Sequence, residues 1–454
     1  MTKKTRLIVF LACFFLFILI SPLAILYSQG YRIDFEERKV SQTGAIFIRA
    51  LPRQADVYID GKLNKRTDFF FGSALIENLL PKKHEITVTR EGYHSWKKSF
   101  EIREREVVEA KNIILFPETV DINLILKNVE NLLFLSDQKI ILKERPDQDE
   151  SIDNDWSLKA YHFEQSIKSH LANKEDFARF FPSNKEDFIK KAELITLEVL
   201  ENSKKIYIEI AEEEEVKAFE LKIENNQIMP AEKISFPLKN IAYKKINNDF
   251  YYLDESGFLF VLQNIPENIS TSTLQEINKK QLTVSPFKID PKKNYQLKIF
   301  KDFIFLKENK DVYRLNFESE IFEIFAEQIN SMEISPDNEK LAYFSNHEVW
   351  VLFLSDKNDP PQKKKSEKIF LIRLSEQITS LSWINNDYLS FTAGTSIKIS
   401  ETDDRDRINI IDILNLEGLL ENKKPKQIFF NQNEKKLYFL TDTGSFYGST
   451  NIIP

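Results

Sequence analysis

The sequence is poor in the residues on which most catalytic and cofactor chemistry is built. It has one cysteine, five histidines and three methionines in 454 residues. A single cysteine, Cys13, excludes an internal disulfide. Basic residues are not in excess either: 63 Lys and Arg face 70 Asp and Glu, a formal net charge of -7 with both signs interspersed. That balance excludes the basic stripe expected of a nucleic-acid binder and predicts an ordinary solvated surface. No Gly-rich phosphate loop, Gly-x-Ser-x-Gly elbow, His-Glu-x-x-His or paired-Cys motif occurs. No catalytic, cofactor-binding or metal-ligating residue is therefore assigned, and the chain is expected to be non-enzymatic.

Long apolar runs are also rare, which makes the one at the N-terminus informative. After Lys3, Lys4 and Arg6, residues 7–27 read LIVFLACFFLFILISPLAILY without a charge. About 20 such residues span the roughly 30 Å hydrocarbon core of a bilayer, and a buried soluble helix is seldom apolar on every face. A cleaved signal peptide would have a shorter apolar core and a small-x-small site, for which Ser28 and Gly30 are poor candidates. Acylation of Cys13 is disfavoured because Phe10, Leu11 and Ala12 do not make the expected preceding box. The reading is an uncleaved transmembrane helix over 7–27, with Pro22 tolerated late in the span. The positive residues keep 1–6 cytoplasmic and place the bulk of the chain outside the cell membrane. Residues 28–43 form a juxtamembrane connector, with one strand expected through Tyr31, Ile33 and Phe35.

From 44 to 117 the pattern changes to short stretches of period-two alternation. Ile46 and Ile48 share a face, as do Val57 and Ile59, Ile86 and Val88, and Phe100 and Ile102. Turn signals separate them at Leu51-Pro52, Asp60-Gly61, Leu80-Pro81 and Glu91-Gly92. Short strands with turns at this spacing predict a small β-sandwich. Several landmarks lie in a recognisable order: the opening Gly44 strand, Pro52 and Ala55 before Val57-Tyr58-Ile59-Asp60-Gly61, then Leu80-Pro81, His84, Gly92-Tyr93 and Trp96. On these residues the stretch resembles the PEGA domain, a small β-sandwich of surface and envelope proteins of bacteria and archaea. It departs from that family's pattern at Pro52-Arg53-Gln54-Ala55, where the middle Glu-Gly is absent, at Lys82 and around Thr67-Asp68. The resemblance implies no catalytic centre; Tyr93 and Trp96 are expected to be core or edge aromatics, and His84 and His94 turn or strand residues.

Residues 118–454 repeat a strand, a polar turn and a second strand, often with a third, at a period of about 40 to 50 residues, the mark of a β-propeller. The length holds about seven blades, with six or eight possible. One unit, Ile334-Ser335-Pro336-Asp337-Asn338 with Leu341-Ala342-Tyr343 and Val349-Trp350-Val351, resembles the WD40-like repeat of propellers such as the TolB family. A polar interval near 147–191 contains NKEDF twice, at 173–177 and 184–188. It reads as a partly helical insertion in which Ser183 or Asn184 caps a short helix.

Four features carry enough chemistry to be weighed. The run 212–215 is an acidic hairpin tip. Glu401, Asp403, Asp404 and Asp406 offer hard oxygen ligands suited to Ca²⁺, but they lack the glycine and alternate spacing of an EF-hand, and Arg405 and Arg407 partly neutralise them. Residues 363–365 (KKK) are expected at an exposed loop tip. His347 is expected to close a hairpin. The fold class is thus mainly β: an N-terminal transmembrane helix, a PEGA-like sandwich and a propeller. The role expected is binding or scaffolding in the cell envelope, with a cell-wall polymer or an envelope protein as partner. The alternative is an envelope hydrolase with a propeller-borne or propeller-gated site, which would have to draw on His84, His94, His162, His170 or His347.

Overall fold

In the computed structural model of the chain, residues 3–34, 38–145, 156–199, 204–213, 215–230, 240–246, 249–263, 279–420 and 423–454 are described. Helix α1 (Lys3–Ser28) contains Pro22, and its span Thr5–Ser28 is long and apolar enough to cross a membrane, with its apolar stretch not buried in the rest of the chain. Gly30, at φ +84°, turns the chain out of the helix into a two-stranded hairpin, β1 (Tyr31–Asp34) and β2 (Lys39–Gln42). The expected strand through Tyr31 and Ile33 forms; Phe35 lies outside the described residues. Arg32 ties the helix end to the next module: its guanidinium donates to Tyr27 O at 2.8 Å and to Asn78 Oδ1 at 2.7 Å.

The sandwich has two sheets. One is three-stranded: β3 (Gly44–Leu51) lies between β6 (Ser73–Leu79), antiparallel to it, and β9 (Val107–Ile114), parallel to it. The other has the order β5-β4-β7-β8, built from β4 (Asp56–Ile59), β5 (Lys62–Arg66), β7 (Lys83–Thr89) and β8 (Trp96–Glu101). Alternation dictates what faces inward: Ile46, Ile48, Val57, Ile59, Ile86, Val88, Phe100 and Ile102 are all buried in one core. Asp60 and Gly61, both at positive φ, form the two-residue link between β4 and β5, the geometry of a type I′ hairpin turn. Gly44 is required for a different reason, since a Cβ there would lie 2.3 Å from the carbonyl oxygen of Arg103.

Beyond the sandwich, the described residues form seven four-stranded antiparallel sheets, one per propeller blade. The first six blades are continuous in sequence. The seventh is not: three strands, Pro425–Asn431, Lys436–Thr441 and Phe446–Asn451, are completed by β10 (Ile122–Leu126), which pairs with the last of them and closes the ring between its two ends. Second strands such as Lys340–Phe344 and Tyr388–Ala393 are buried on both faces, because each sheet packs between two neighbours. The expected insertion near 147–191 is narrower than the sequence suggests. Ser157–His162 and Ile167–Asn173 are the third and fourth strands of blade 1, the third with Leu158, Ala160 and Tyr161 buried and the fourth at the sheet edge, while 147–155 lie outside the described residues. Among the described residues of this interval, the helical ones are Lys174–Phe180 and Lys185–Lys191. Both NKEDF copies start helices: Asp176 accepts the Asn173 N–H at 2.7 Å, Asn184 accepts the Asp187 N–H at 2.9 Å, and Phe177 and Phe188 anchor the segments in the core of blades 1 and 2.

Replacing Gly44 by alanine forces a methyl group into the Arg103 carbonyl and should destabilise the sandwich by about 1–3 kcal/mol, the usual cost of overpacking. Differential scanning of the purified chain should show the sandwich transition lowered; an unchanged transition would mean that the 103–106 turn moves aside freely.

Candidate functional site

The strand β8 has an inward-facing set, Trp96, Lys98 and Phe100, that a two-residue period makes contiguous. The middle member is a lysine with no exposed surface. Burying an ammonium group is costly unless opposite charge and hydrogen bonds meet it. Both come from blade 6, whose third strand ends at Glu401 and continues into a loop over 402–409. Lys98 Nζ lies 2.9 Å from Glu401 Oε1 and 3.3 Å from Asp403 Oδ1, and it also donates to the Asp403 carbonyl oxygen. Glu401 is satisfied on its second oxygen by Trp96 Nε1 at 2.8 Å, and on the first by the backbone and side-chain N–H groups of Asn409 at 2.8 and 2.7 Å.

The remaining acidic side chains of that loop are engaged in the same way. Burial acts to raise the Asp403 carboxyl, but the hydrogen bonds from Arg405 and the positive charge of Lys98 and Arg405 outweigh it and hold it below the usual carboxylate range. Arg405 in turn lies over Phe100, 4.9 Å from the ring centre, and donates to Glu109 O at 2.8 Å. Asp406 bonds Lys83 Nζ at 3.0 Å and the Ser99 N–H at 3.0 Å, and the Lys83 bond is the main reason that its carboxyl is depressed. Asp404 meets Lys363 Nζ at 2.7 Å. The four carboxylates considered for Ca²⁺ therefore face cations of the chain itself. Lys363, expected at an exposed tip, is instead buried between Asp404 and Glu367, while Lys364 and Lys365 are exposed.

A second contact lies along β9. The fully buried Tyr388 hydroxyl accepts the Ile114 N–H at 3.1 Å, Phe116 packs edge-on against the Tyr388 ring, and Asn112 donates to Asp387 Oδ2 at 2.8 Å. Burial, with the nearby Glu401 charge, pushes the Tyr388 phenol well above its ordinary range, so it stays protonated. Between β9, the loop at 357–361 and blade 6 a cleft of about 170 Å³ remains. Its charged walls are internally matched: Lys111 pairs with Glu109 at 2.6 Å and Lys357 with Asp387 at 3.7 Å. The arrangement joins two domains; it presents no activated nucleophile.

The histidines are scattered. His84 bridges Asp60 Oδ2 at 2.7 Å and Leu80 O at 2.9 Å inside the sandwich. His347 lies in the link between two strands of blade 5, as expected. His162 approaches Ser169 Oγ at 3.2 Å on paired strands of blade 1, but burial and the neighbouring Lys139 charge lower its basicity, the opposite of what an orienting carboxylate does in a Ser-His-Asp centre. Among the described residues, no three His, Cys, Asp or Glu side chains converge to hold a metal ion. Trp96 is a core aromatic, as the sequence suggests, but its indole N–H reaches into the propeller. Reading the sequence missed Lys98; its one local signal was a charge at an inward position between two aromatics.

Fold and seam together define a β-sandwich locked to a seven-bladed propeller behind an N-terminal apolar helix. The sandwich is a PEGA domain: residues 43–114 match that family. No curated protein is significantly similar to the chain. Among solved structures, the β-propeller domain of Myceliophteria thermophila Cps50 (Swd1) is similar at 8% identity, with a TM-score of 0.40 over 72% of this chain and 99% of that one. The extracellular domain of a hybrid two-component system from B. thetaiotaomicron is similar at 13% identity, with a TM-score of 0.43 over 72% of this chain and 39% of that one. Likeness this loose adds nothing to the strand pairing, which defines the propeller by itself.

Lys98→Met leaves Glu401 and Asp403 buried without their common cation, and breaking a buried pair from one side costs about 3–5 kcal/mol. The two domains should then separate, seen as new protease cleavage between them while each domain persists; an unchanged digestion pattern would refute the clamp. Because Lys83 of the sandwich is the main cause that depresses Asp406, and Lys98 adds to the effect of Arg405 on Asp403, the separated domains bind more protons than the docked ones as pH falls through about 4. Their contribution is present above that value and disappears below it. Small-angle scattering should show the sandwich and propeller parting in acid, below about pH 4.

Proposed function

We propose that the chain is a single-pass, non-enzymatic cell-envelope protein that displays a propeller as a binding or scaffolding platform at a fixed distance from the membrane. One observation carries the proposal. The sandwich that follows α1 is joined to blade 6 by a buried ion cluster and by the Tyr388 contact, so sandwich and platform are held as one body. A flexible tether would need only a polar linker; a buried lysine clamp suits a part whose position matters. Lys3, Lys4 and Arg6 support an N-terminus on the cytoplasmic side, which puts the sandwich and propeller outside. Partners fitting this display are an envelope protein or a cell-wall polymer. Among the described residues, a hydrolase reading has the His162–Ser169 pair to build on, and the charge beside that pair is of the wrong sign.

Protease added to intact spheroplasts should remove the mass beyond α1 and leave a short membrane-embedded remnant. Complete protection would overturn the orientation. The same preparation, incubated with isolated cell wall and washed, should retain the full chain if a wall polymer is the ligand; if it washes off, crosslinking in whole cells should instead yield a protein adduct on the propeller.

A further inference from the structure

Between β5 and β6 the sandwich carries Phe69, Phe70 and Phe71 in succession, exposed to 61%, 72% and 70%. Three phenylalanines in water need a reason. The turn that holds them is tightly built. One Asp68 carboxylate oxygen accepts the N–H groups of Phe70 at 2.8 Å and Phe71 at 2.6 Å, while the other accepts that of Ser73 at 2.7 Å. These bonds and the Ser73 hydroxyl hold the Asp68 carboxyl far below the usual range. Gly72, at φ +66°, closes the turn where a Cβ would lie 2.4 Å from Ala50 O. The tip is thus a rigid apolar wedge.

Its surroundings are basic. Every residue of β5 is exposed, and this edge strand contributes Lys62 and Lys65, with Arg53 against Gly72 at the base of the turn; Arg66 is paired with Asp56 at 2.6 Å, and β6 adds one exposed acid, Glu77. The charge of the chain divides in the same sense. Residues 44–117 hold 13 Lys and Arg against 10 Asp and Glu, net +3, whereas residues 118–454 hold 44 against 57, net -13. An anionic surface attracts the first and repels the second. The bilayer in which α1 would lie is one such surface, and Arg32 joins the end of α1 to Asn78, near the end of β6. Ser73, at the base of the tip, pairs with Arg49 at the end of β3 opposite Gly44, about 17 Å along the strand from Asn78, so the tip meets the bilayer when β6 runs along its surface.

We infer that the Phe69–Phe70–Phe71 tip is a second lipid-contacting site, which inserts into the interface of an anionic bilayer while the β5–β6 edge of the sandwich lies along the headgroups. The inference rests on α1 being a membrane anchor. An aromatic wedge flanked by lysine and arginine is the combination that binds such an interface, apolar area supplying depth and the cations supplying attraction. The tip then fixes the rotation and tilt of the sandwich, and through the Lys98 clamp those of the propeller.

The test uses the full chain reconstituted in nanodiscs containing phosphatidylglycerol, with Phe70→Trp as a reporter and lipids brominated near the headgroup as quencher. The expected result is at least a twofold loss of the added tryptophan emission, above the baseline of the four native tryptophans, reduced in purely zwitterionic discs and by Lys62→Glu/Lys65→Glu. Red-shifted, unquenched emission from a chain that resists carbonate extraction would overturn the inference and leave the anchor standing. Blue-shifted emission without quenching would also overturn it, pointing to a protein on the tip. If carbonate releases the chain, the anchor reading fails; quenching that persists on added phosphatidylglycerol vesicles would then still support the lipid site. Circular dichroism matching that of the parent chain establishes that each variant is folded.

Discussion

A lysine with no exposed surface must be answered by charge, and the way Lys98 is answered sets the shape of the molecule. Its partners lie about three hundred residues away in blade 6, so neither domain can satisfy the cluster alone. In an isolated sandwich, Lys98 would regain water and lose Glu401 and Asp403; in an isolated propeller, Glu401 would lose its cation and Asp403 would keep Arg405 alone. Such clusters add little net stability compared with an apolar seam of the same shape. Their effect is on specificity. Trp96 and Phe100 would pack against many apolar surfaces, but only one docking brings two carboxylates onto the ammonium group and one of them onto the indole N–H.

Chain connectivity reinforces this arrangement. Only seven residues separate the end of β9 from the start of β10, the strand that closes the propeller ring. Phe116, in that link, is buried against Tyr388 and within the core shared by blades 6 and 7. The sandwich is thus held covalently to blade 7 and by the ion cluster to blade 6. Two neighbouring attachment points remove the swivel that a single linker would leave. Because β10 belongs to the last blade, the ring cannot open there without disturbing the strand that leads back to the sandwich.

The parts legible in the sequence are those fixed by local rules. Val57 and Ile59, or Ile86 and Val88, declare a buried face because side chains alternate, and Asp60-Gly61 declares its hairpin because both positions require positive φ. The same holds for repeated strand pairs and for the helix begun by Asn184. What was illegible depends on contacts between distant segments. Strand β10 looks like any other strand and gives no sign of pairing with residues 446–451. The last two strands of blade 1, SLKAYH and IKSHLAN, are polar enough to pass for an insertion: the first alternates polar residues with the buried Leu158 and Ala160, and the second is the sheet edge with one neighbour. Lys363 belongs to a run of three lysines, and nothing local separates the buried one from the two exposed.

The acidic loop at 401–406 shows why composition misleads most at such places. Four carboxylates within six residues repel one another, and a loop holding them needs compensating cations. A bound divalent ion would supply that charge at one point, with oxygen ligands converging on it. This loop instead spreads its carboxylates outward to separate cations: Lys98 and Lys83 from the sandwich, Lys363 from blade 5, and Arg405 from within. The charge that would have made a metal site makes a junction of three structural units. Its members differ in how they respond to salt. The Lys83–Asp406 pair is partly exposed and is screened over a Debye length of about 8 Å, whereas Lys98 is shielded from mobile ions. Rising ionic strength therefore loosens the rim of the junction before its centre, and the centre is where the indole, the ammonium group and two carboxylates fix the orientation of the propeller.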